Sequence, residues 1–181
     1  MIITISGSPG TGTSTLSKEV SRLLGLRWVN SGELFRKIAS DRNISIEELG
    51  KLAEKGPDID YLIDDAQRKL AKEGGGVFEG RLSGHILDAD LKVLLKADVM
   101  VRAERIASRE DALAEDALVE CRAREQCEAR RYEKYYNIDI DDYSVYDLVI
   151  STDTWDEFGV VEIVIAAVEA LKHGQKAETS L

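Results

Sequence analysis

Apolar residues recur along this chain in two alternating rhythms, one of short runs and one of helical spacing. Ile2, Ile3 and Ile5 open it in a strand-like run from Met1 to Ser6. Thr13 to Leu24 then carries apolar positions three and four apart, as on one helix face, and stops at Gly25. Trp28 and Val29 read as a second strand, and Ser31 begins a helix bearing Leu34, Phe35, Ile38 and Ala39. Ser45 and Glu48 stand at capping-box spacing, and the helix they start ends at Gly56-Pro57. The next helix aligns Ile59, Leu62, Ile63, Ala66 and Leu70 on one stripe. Gly74-Gly75-Gly76 breaks to a strand from Val77 to Glu79. Lys92 to Leu95, with Val99 to Val101 as a candidate continuation, gives the fourth strand, and Leu148 to Ser151 the fifth. Thr154 to Glu157 can cap a last helix running to about Lys172, with a frayed tail expected after Gly174. Such alternation predicts an α/β fold: a five-stranded parallel sheet with helices on both faces and ligands at the carboxyl ends of the strands.

Composition narrows this picture. With 181 residues and 44% hydrophobic content, the chain buries one core, so a single domain over 1–181 is expected. No apolar run is long enough to span a membrane and no signal peptide is evident, which points to a cytoplasmic protein without a membrane partner. Cys121 and Cys127 lie on different faces of a helix at their spacing, and read as reduced thiols rather than as a disulfide or metal pair. A net charge of -10 argues against nucleic acid, whose backbone requires a broad basic surface. Any anionic substrate must meet local positive charge instead.

The first strand leads into Gly7-Ser8-Pro9-Gly10-Thr11-Gly12-Thr13-Ser14-Thr15, which matches the phosphate-binding loop of the P-loop NTPase fold at every position except the lysine, where Thr13 stands. The glycines let backbone N–H groups converge on a polyphosphate, and the helix starting near Thr13 points its positive dipole end at the same spot. The Ser14 hydroxyl would ligate the Mg2+ that bridges the nucleotide phosphates. A threonine cannot replace the point charge of lysine, and Lys18 faces elsewhere along the helix.

Other polar residues gather at strand ends. Asn30-Ser31-Gly32-Glu33-Leu34-Phe35-Arg36 follows the second strand, where Ser31 and Arg36 could grip a second phosphate, and Glu79-Gly80-Arg81-Leu82-Ser83-Gly84 follows the third. Arg102, Arg105, Arg109, Arg122, Arg124, Arg130 and Arg131 crowd into the segment after the fourth strand, many of them read as solvated ion pairs. Arg124, Glu128 and Arg131 share one helical face, with Glu128 expected to orient both guanidinium groups. Two phosphate sites imply phosphoryl transfer rather than hydrolysis. Asp58, Asp60, Asp64, Gln67, Ser83 and His85 could all face a base, and nothing in the sequence ranks them.

These motifs, in this order, resemble the nucleoside monophosphate kinases, and most closely the archaeal-type cytidylate kinases. The likeness covers nearly the whole chain, including Arg102-Ala103-Glu104-Arg105-Ile106-Ala107-Ser108-Arg109-Glu110, Arg131-Tyr132 to Asn137-Ile138-Asp139-Ile140, and Tyr146-Asp147-Leu148-Val149-Ile150. Glu79-Gly80-Arg81 is similar to the aspartate-glycine-arginine motif of that family, and Arg124-Glu125 with Glu128 and Arg131 is similar to its lid pattern. The resemblance implies transfer of the γ-phosphoryl group of ATP to CMP or dCMP. It further implies acceptor-binding helices over about 31–73, a lid over about 103–138, and binding of the acceptor phosphate by Ser31, Gly32, Arg36 and Arg81. Arg124, Arg131 and Arg81 would act on the transferring group, Arg105 and Arg109 would lie near ATP, and Ser14 and Glu79 would hold the metal. A monomer is expected. The alternatives are a kinase of AMP, UMP or shikimate, or a non-catalytic nucleotide-binding module, for which Thr13 would be the sign.

Overall fold

The computed structural model describes residues 1–178, with side chains through His173. Five strands, β1 (Ile2–Gly7), β2 (Trp28–Asn30), β3 (Gly76–Glu79), β4 (Leu91–Lys96) and β5 (Leu148–Ser151), form one sheet in the order β2-β3-β1-β4-β5. Every pairing is parallel, with Ile5 beside Glu79 and Val93, and Val29 beside Phe78. Parallel strands require a crossover between each pair, and the helices that supply it cover both faces. The carboxyl ends Gly7, Asn30, Glu79, Lys96 and Ser151 therefore share one edge of the sheet.

Period-two burial sorts the faces. Ile3, Ile5, Val77, Val93 and Leu95 meet Leu16 and Val20 of α1 (Thr13–Leu24) and Val160, Val164 and Val168 of the last helix in the main core. Phe78 and Val29 turn to the opposite face with Leu87. Three helices, α2 (Ser31–Asp41), α3 (Ile46–Lys55) and α4 (Asp58–Glu73), close a second small core of Ala39, Leu49, Ala53, Ile59 and Ile63 beyond the sheet. A short α5 (Ser83–Ile86) follows β3. Two long helices, α6 (Val99–Glu110) and α7 (Ala114–Tyr136), pack as a hairpin around Ala103, Ile106, Ala107, Ala117 and Cys121. Cys121 and Cys127 are free thiols.

The structure corrects several sequence expectations. Val99 to Val101 is the first turn of α6, not a continuation of the fourth strand, because Asp98 accepts a hydrogen bond from the Met100 N–H at 2.8 Å and caps a helix there. The stripe buried on α4 is Ile59, Asp60, Ile63, Asp64 and Gln67, while Leu62 is exposed. The last helix, α8 (Glu157–Glu178), runs past Lys172 and Gly174, so the backbone is helical where fraying was expected; residues 179–181 of that expected tail lie outside the described residues. Its start is set by Asp156, whose Oδ1 accepts from the Gly159 N–H at 2.8 Å and whose carbonyl accepts from Val160 at 3.0 Å, and not by Thr154.

Asp156→Ala is therefore expected to cost about 1 kcal/mol, the usual loss of a helix cap, and to lower the melting temperature by about 2–4 °C. Thr154→Ala is expected to change it little. Thermal unfolding of both variants checks the assignment, and the reverse ranking would refute it.

Candidate functional site

Where β1 ends, the chain turns through Gly10 and Gly12 with φ of 86° and 92°, a left-handed backbone suited to glycine. A side chain at Gly10 would also stand 2.8 Å from the Arg102 carbonyl, so the loop and α6 touch backbone to backbone. Thr11 closes the loop by donating its N–H to the Ser8 carbonyl at 3.1 Å and its hydroxyl to the same oxygen at 2.7 Å. Gly12 is the N-cap of α1 and offers no side-chain hydrogen bond to the first turn. Those N–H groups, with the positive end of the helix dipole, remain available to phosphate oxygens.

Glu79, buried at the tip of β3, gathers the polar groups beneath the loop. Its Oε1 accepts from Thr13 at 3.0 Å and from Ser14 at 2.5 Å, and its Oε2 from Trp28 Nε1 at 2.9 Å and Asn30 Nδ2 at 2.6 Å. Thr13, which stands where lysine is usual, is thus turned down onto a carboxylate. Lys18 lies over the Trp28 ring at 4.8 Å, away from the loop. The hydroxyl of Ser14 and the carboxylate of Glu79 are hard oxygen donors in contact. They fit a magnesium ion that keeps most of its waters and shares phosphate oxygens. Among the described residues, no group of three His, Cys, Asp or Glu forms a separate metal cluster.

Of the cavities near the carboxyl edge of the sheet, two bear on the site, one beside the loop and one beyond it. One, of about 720 Å³, opens between Thr11, Gly12, Arg105 and the segment from Thr152 to Phe158. Arg105 donates to Thr152 Oγ1 at 2.9 Å, to the Thr152 carbonyl at 2.8 Å and to the Gly10 carbonyl at 3.2 Å, which ties the loop to the end of β5. Arg109 is not brought to this cavity: it is exposed and pairs with Glu110 at 2.6 Å. The other cavity, of about 560 Å³, lies between α2, α3, α4 and α7, with Ser31, Gly32, Arg36, Arg81, Arg124 and Arg131 among its walls.

The guanidinium groups between these cavities rest on carboxylates. Arg81 donates through Nε to Glu128 at 2.6 Å and through Nη1 to the Ser8 hydroxyl at 2.5 Å, so it spans the loop and α7. Arg124 reaches the other oxygen of Glu128 at 2.9 Å, and Arg102 holds Glu125 at 2.9 Å. Burial pushes the Glu128 carboxyl up, but Arg81 and Arg124 outweigh it and hold the group below its ordinary value. Arg131 departs from the sequence expectation. It pairs with Asp60 of α4 rather than with Glu128, its Nε 2.8 Å from Oδ2 but not aligned to bond, and its Nη2 bonding Oδ1 at 3.3 Å. The reason is tertiary: α4 crosses close to α7 and offers a second carboxylate. Arg36 is exposed at the cavity mouth.

Four of these residues carry no distinguishing signal in the sequence. Arg102 is one of a crowd of arginines, and Glu125 is one member of the lid pattern. Trp28 and Asn30 read as strand and loop in the sequence, which does not show that they donate to the buried Glu79. Asp64 and Gln67 were unranked, yet both are buried in the second cavity. Tyr136 donates a short hydrogen bond to Asp64 Oδ2. Burial pushes the Asp64 carboxyl up to about 6, despite that bond.

A carboxyl whose folded value lies above its unfolded value of 3.8 favours folding while protonated, so its contribution falls as pH rises from there through about 6. Asp64→Asn, which cannot ionise, is expected to raise the melting temperature of the unliganded protein at about pH 8 and to change it less at about pH 4.5. Thermal unfolding at the two pH values checks the sign; equal shifts would remove Asp64 ionisation as the cause.

Solved structures that share this architecture include two kinases. A shikimate kinase from Bacteroides thetaiotaomicron superposes with a TM-score of 0.59 at 16% identity, covering 93% of this chain and 98% of that one. A gluconokinase from Sinorhizobium meliloti gives 0.62 at 14% identity, covering 98% and 96%. At such identities the likeness shows the P-loop kinase fold. Sequence relatives are nearer: a cytidylate kinase from Methanothrix thermoacetophila is 66% identical over 172 residues, 95% of this chain and 100% of its own length. Another from Archaeoglobus fulgidus is 48% identical over 174 residues, 95% of this chain and 97% of its own. With residues 2–154 matched by the model of the Cytidylate kinase-like family, and with relatives of this identity along nearly its whole length, the chain belongs to that family.

Proposed function

We propose that this protein is an ATP-dependent (d)CMP kinase, transferring the γ-phosphoryl group of ATP to CMP or dCMP to give ADP and CDP or dCDP. The observation that carries the reading is Arg81, which joins the phosphate loop at Ser8 to α7 at Glu128 on the wall of the second cavity. A guanidinium in that position can touch a donor phosphate and an acceptor phosphate at once. The family to which the chain belongs supports the same reaction and acceptor class.

In this mechanism the nucleophile is an oxygen of the acceptor phosphate, already ionised at neutral pH, so no general base is required. It forms a bond to the γ-phosphorus as the bond to the β–γ bridging oxygen breaks, and that electron pair leaves with ADP. The loop Gly7 to Thr15 cradles the donor phosphates, with Arg105 at the base of the donor cavity. Ser31, Gly32, Arg36 and Arg81 bind the acceptor phosphate. Arg124 and Arg131 come from α7 onto the transferring group and supply the charge that Thr13 cannot. Ser14 and Glu79 would hold Mg2+ through its water shell, and when bound it neutralises phosphate charge. The helices over 31–73 and the segment 103–138 close on the two substrates and exclude water, which would otherwise accept the phosphoryl group.

Glu128 and Asp60 act here as stand-ins for phosphate. They keep three guanidinium groups neutralised and folded inward, and incoming phosphates displace them. The imperfect alignment of Arg131 with Asp60 eases that exchange. We further propose a cytoplasmic monomer whose partners are these small nucleotides. The net charge of -10 disfavours nucleic acid, and no described helix is long and apolar enough to cross a membrane.

With ATP and magnesium, coupled detection of ADP is expected to show CMP and dCMP preferred over UMP, AMP and shikimate. Absence of ADP formation with every acceptor would overturn the kinase reading in favour of a binding module. Arg131→Ala is expected to lower kcat by about a thousandfold, in the range of arginines that stabilise a transferring phosphoryl group. A rate close to wild type would sink the idea that it compensates for the missing lysine.

A further inference from the structure

A helix that packs against its neighbours normally buries aliphatic side chains. Beside Ile59 and Ile63, the inner face of α4 also buries Asp60, Asp64 and Gln67, at 8%, 4% and 2% exposure, and all three line the second cavity. Buried polar groups are costly unless something uses them, so each needs a task. Asp60 has one already in its ion pair with Arg131. The other two stand three residues apart, one helical turn, and face the same space.

Their partners fix which atoms remain for a ligand. The fully buried Ser83 hydroxyl donates to Gln67 Oε1 at 2.7 Å. That bond occupies the carbonyl end of the amide and leaves its NH2 end as a donor. Tyr136 donates to Asp64 Oδ2, which leaves Oδ1 as an acceptor. Burial and the neighbouring carboxylate push the Tyr136 hydroxyl up, so it stays a donor. Phe35 adds an apolar ring to the cavity wall. Asp58 is exposed, and His85 packs edge-on against Tyr146 at 5.5 Å; neither lines this cavity.

We propose that Asp64 and Gln67 read the acceptor base as an acceptor–donor pair, the carboxylate taking the exocyclic amino group of cytosine and the amide donating to the adjacent ring nitrogen. Uracil reverses both positions: its carbonyl would face the carboxylate and its ring N–H would face the amide NH2. Two hydrogen bonds would be lost and two like poles brought together, which a buried site tolerates poorly. Adenine shows the same amino and ring-nitrogen edge as cytosine, so this pair does not set AMP apart; UMP is the diagnostic competitor. The assignment rests on the CMP kinase reading and gives it a chemical basis for its choice of pyrimidine.

The test compares kcat/KM for CMP, UMP and the pyrimidin-2-one ribonucleoside monophosphate, which lacks the amino group, in wild type and Asp64→Asn at about pH 8, where Asp64 is ionised. In the variant, the Tyr136 hydroxyl can still donate to the new amide carbonyl, turning an NH2 donor toward the base. The ratio of CMP to UMP is expected to fall by about 100-fold, through both a loss on CMP and a gain on UMP. Wild type is expected to use the amino-lacking analogue at least about tenfold less well than CMP, and the variant to treat the two within about threefold. An unchanged CMP to UMP ratio, or a wild type indifferent to the amino group, would overturn the assignment while leaving the kinase reading intact. The wild-type comparison needs no variant to fold. Absence of CMP turnover by the wild type would overturn both.

Discussion

Guanidinium paired with carboxylate is the interaction on which the site depends. Arg81 ties Ser8 of the phosphate loop to Glu128 of α7, and Glu128 also holds Arg124. A buried pair of this kind adds little net stability over an apolar packing, whereas removing one partner leaves an uncompensated charge that costs about 3–5 kcal/mol. Its value lies in keeping positive charge at a fixed place in a protein whose net charge is -10. In the proposed mechanism each carboxylate occupies ground that a phosphate would take, so the same guanidinium would serve the empty and the loaded site.

The second constraint is the sheet. Parallel pairing forces every strand to leave at the same edge, and Glu79 at that edge draws in Thr13, Ser14, Trp28 and Asn30. β1, the start of α1 and β2 are thereby locked around one buried acid. The glycine loop above them needs little of its own side-chain chemistry: Thr11 closes it, and α1 supplies the rest through backbone N–H groups. Charge on the transferring group must then come from across the cleft. In the proposed mechanism Arg81, which follows β3, and Arg124 and Arg131 of α7 would supply that charge in a chain with threonine in place of lysine.

The helices beyond the sheet frame the second cavity. α2, α3 and α4 have a small core of their own, built on Leu49, Ala53, Ile59 and Ile63, which holds α4 rigid enough to present polar groups on its inner face. α7 meets that face through Arg131 and Tyr136, so the proposed lid closure and base reading would involve neighbouring atoms of one helix pair.

Much of this was legible in the sequence, because local rules decide it. The phosphate loop follows from glycine spacing, the capping box at Ser45 from two side chains three residues apart, and the Arg124–Glu128 pair from helix geometry alone. The order of strands and helices is likewise local, since each apolar rhythm is set within a dozen residues. Expectations failed where one of several possible caps won locally or where a distant segment intervened. Val99 to Val101 has the apolar, β-branched look of a strand until Asp98 caps it as a helix, Asp156 displaces Thr154 as the cap of α8, and Arg131 turns from Glu128 to an Asp60 that lies 71 residues away in the chain. Likewise, nothing in a list of acids and amides distinguishes Asp64 and Gln67 from Asp58. Helical periodicity states which residues share a face, but only the packing of α4 against α2, α3, α5 and α7 decides what that face looks into. The sequence by itself determined the fold class, the nest and the supply of arginines; the tertiary structure decided which carboxylate each arginine meets and which polar groups line the acceptor cavity, because those pairings depend on distances through space that no spacing along the chain encodes.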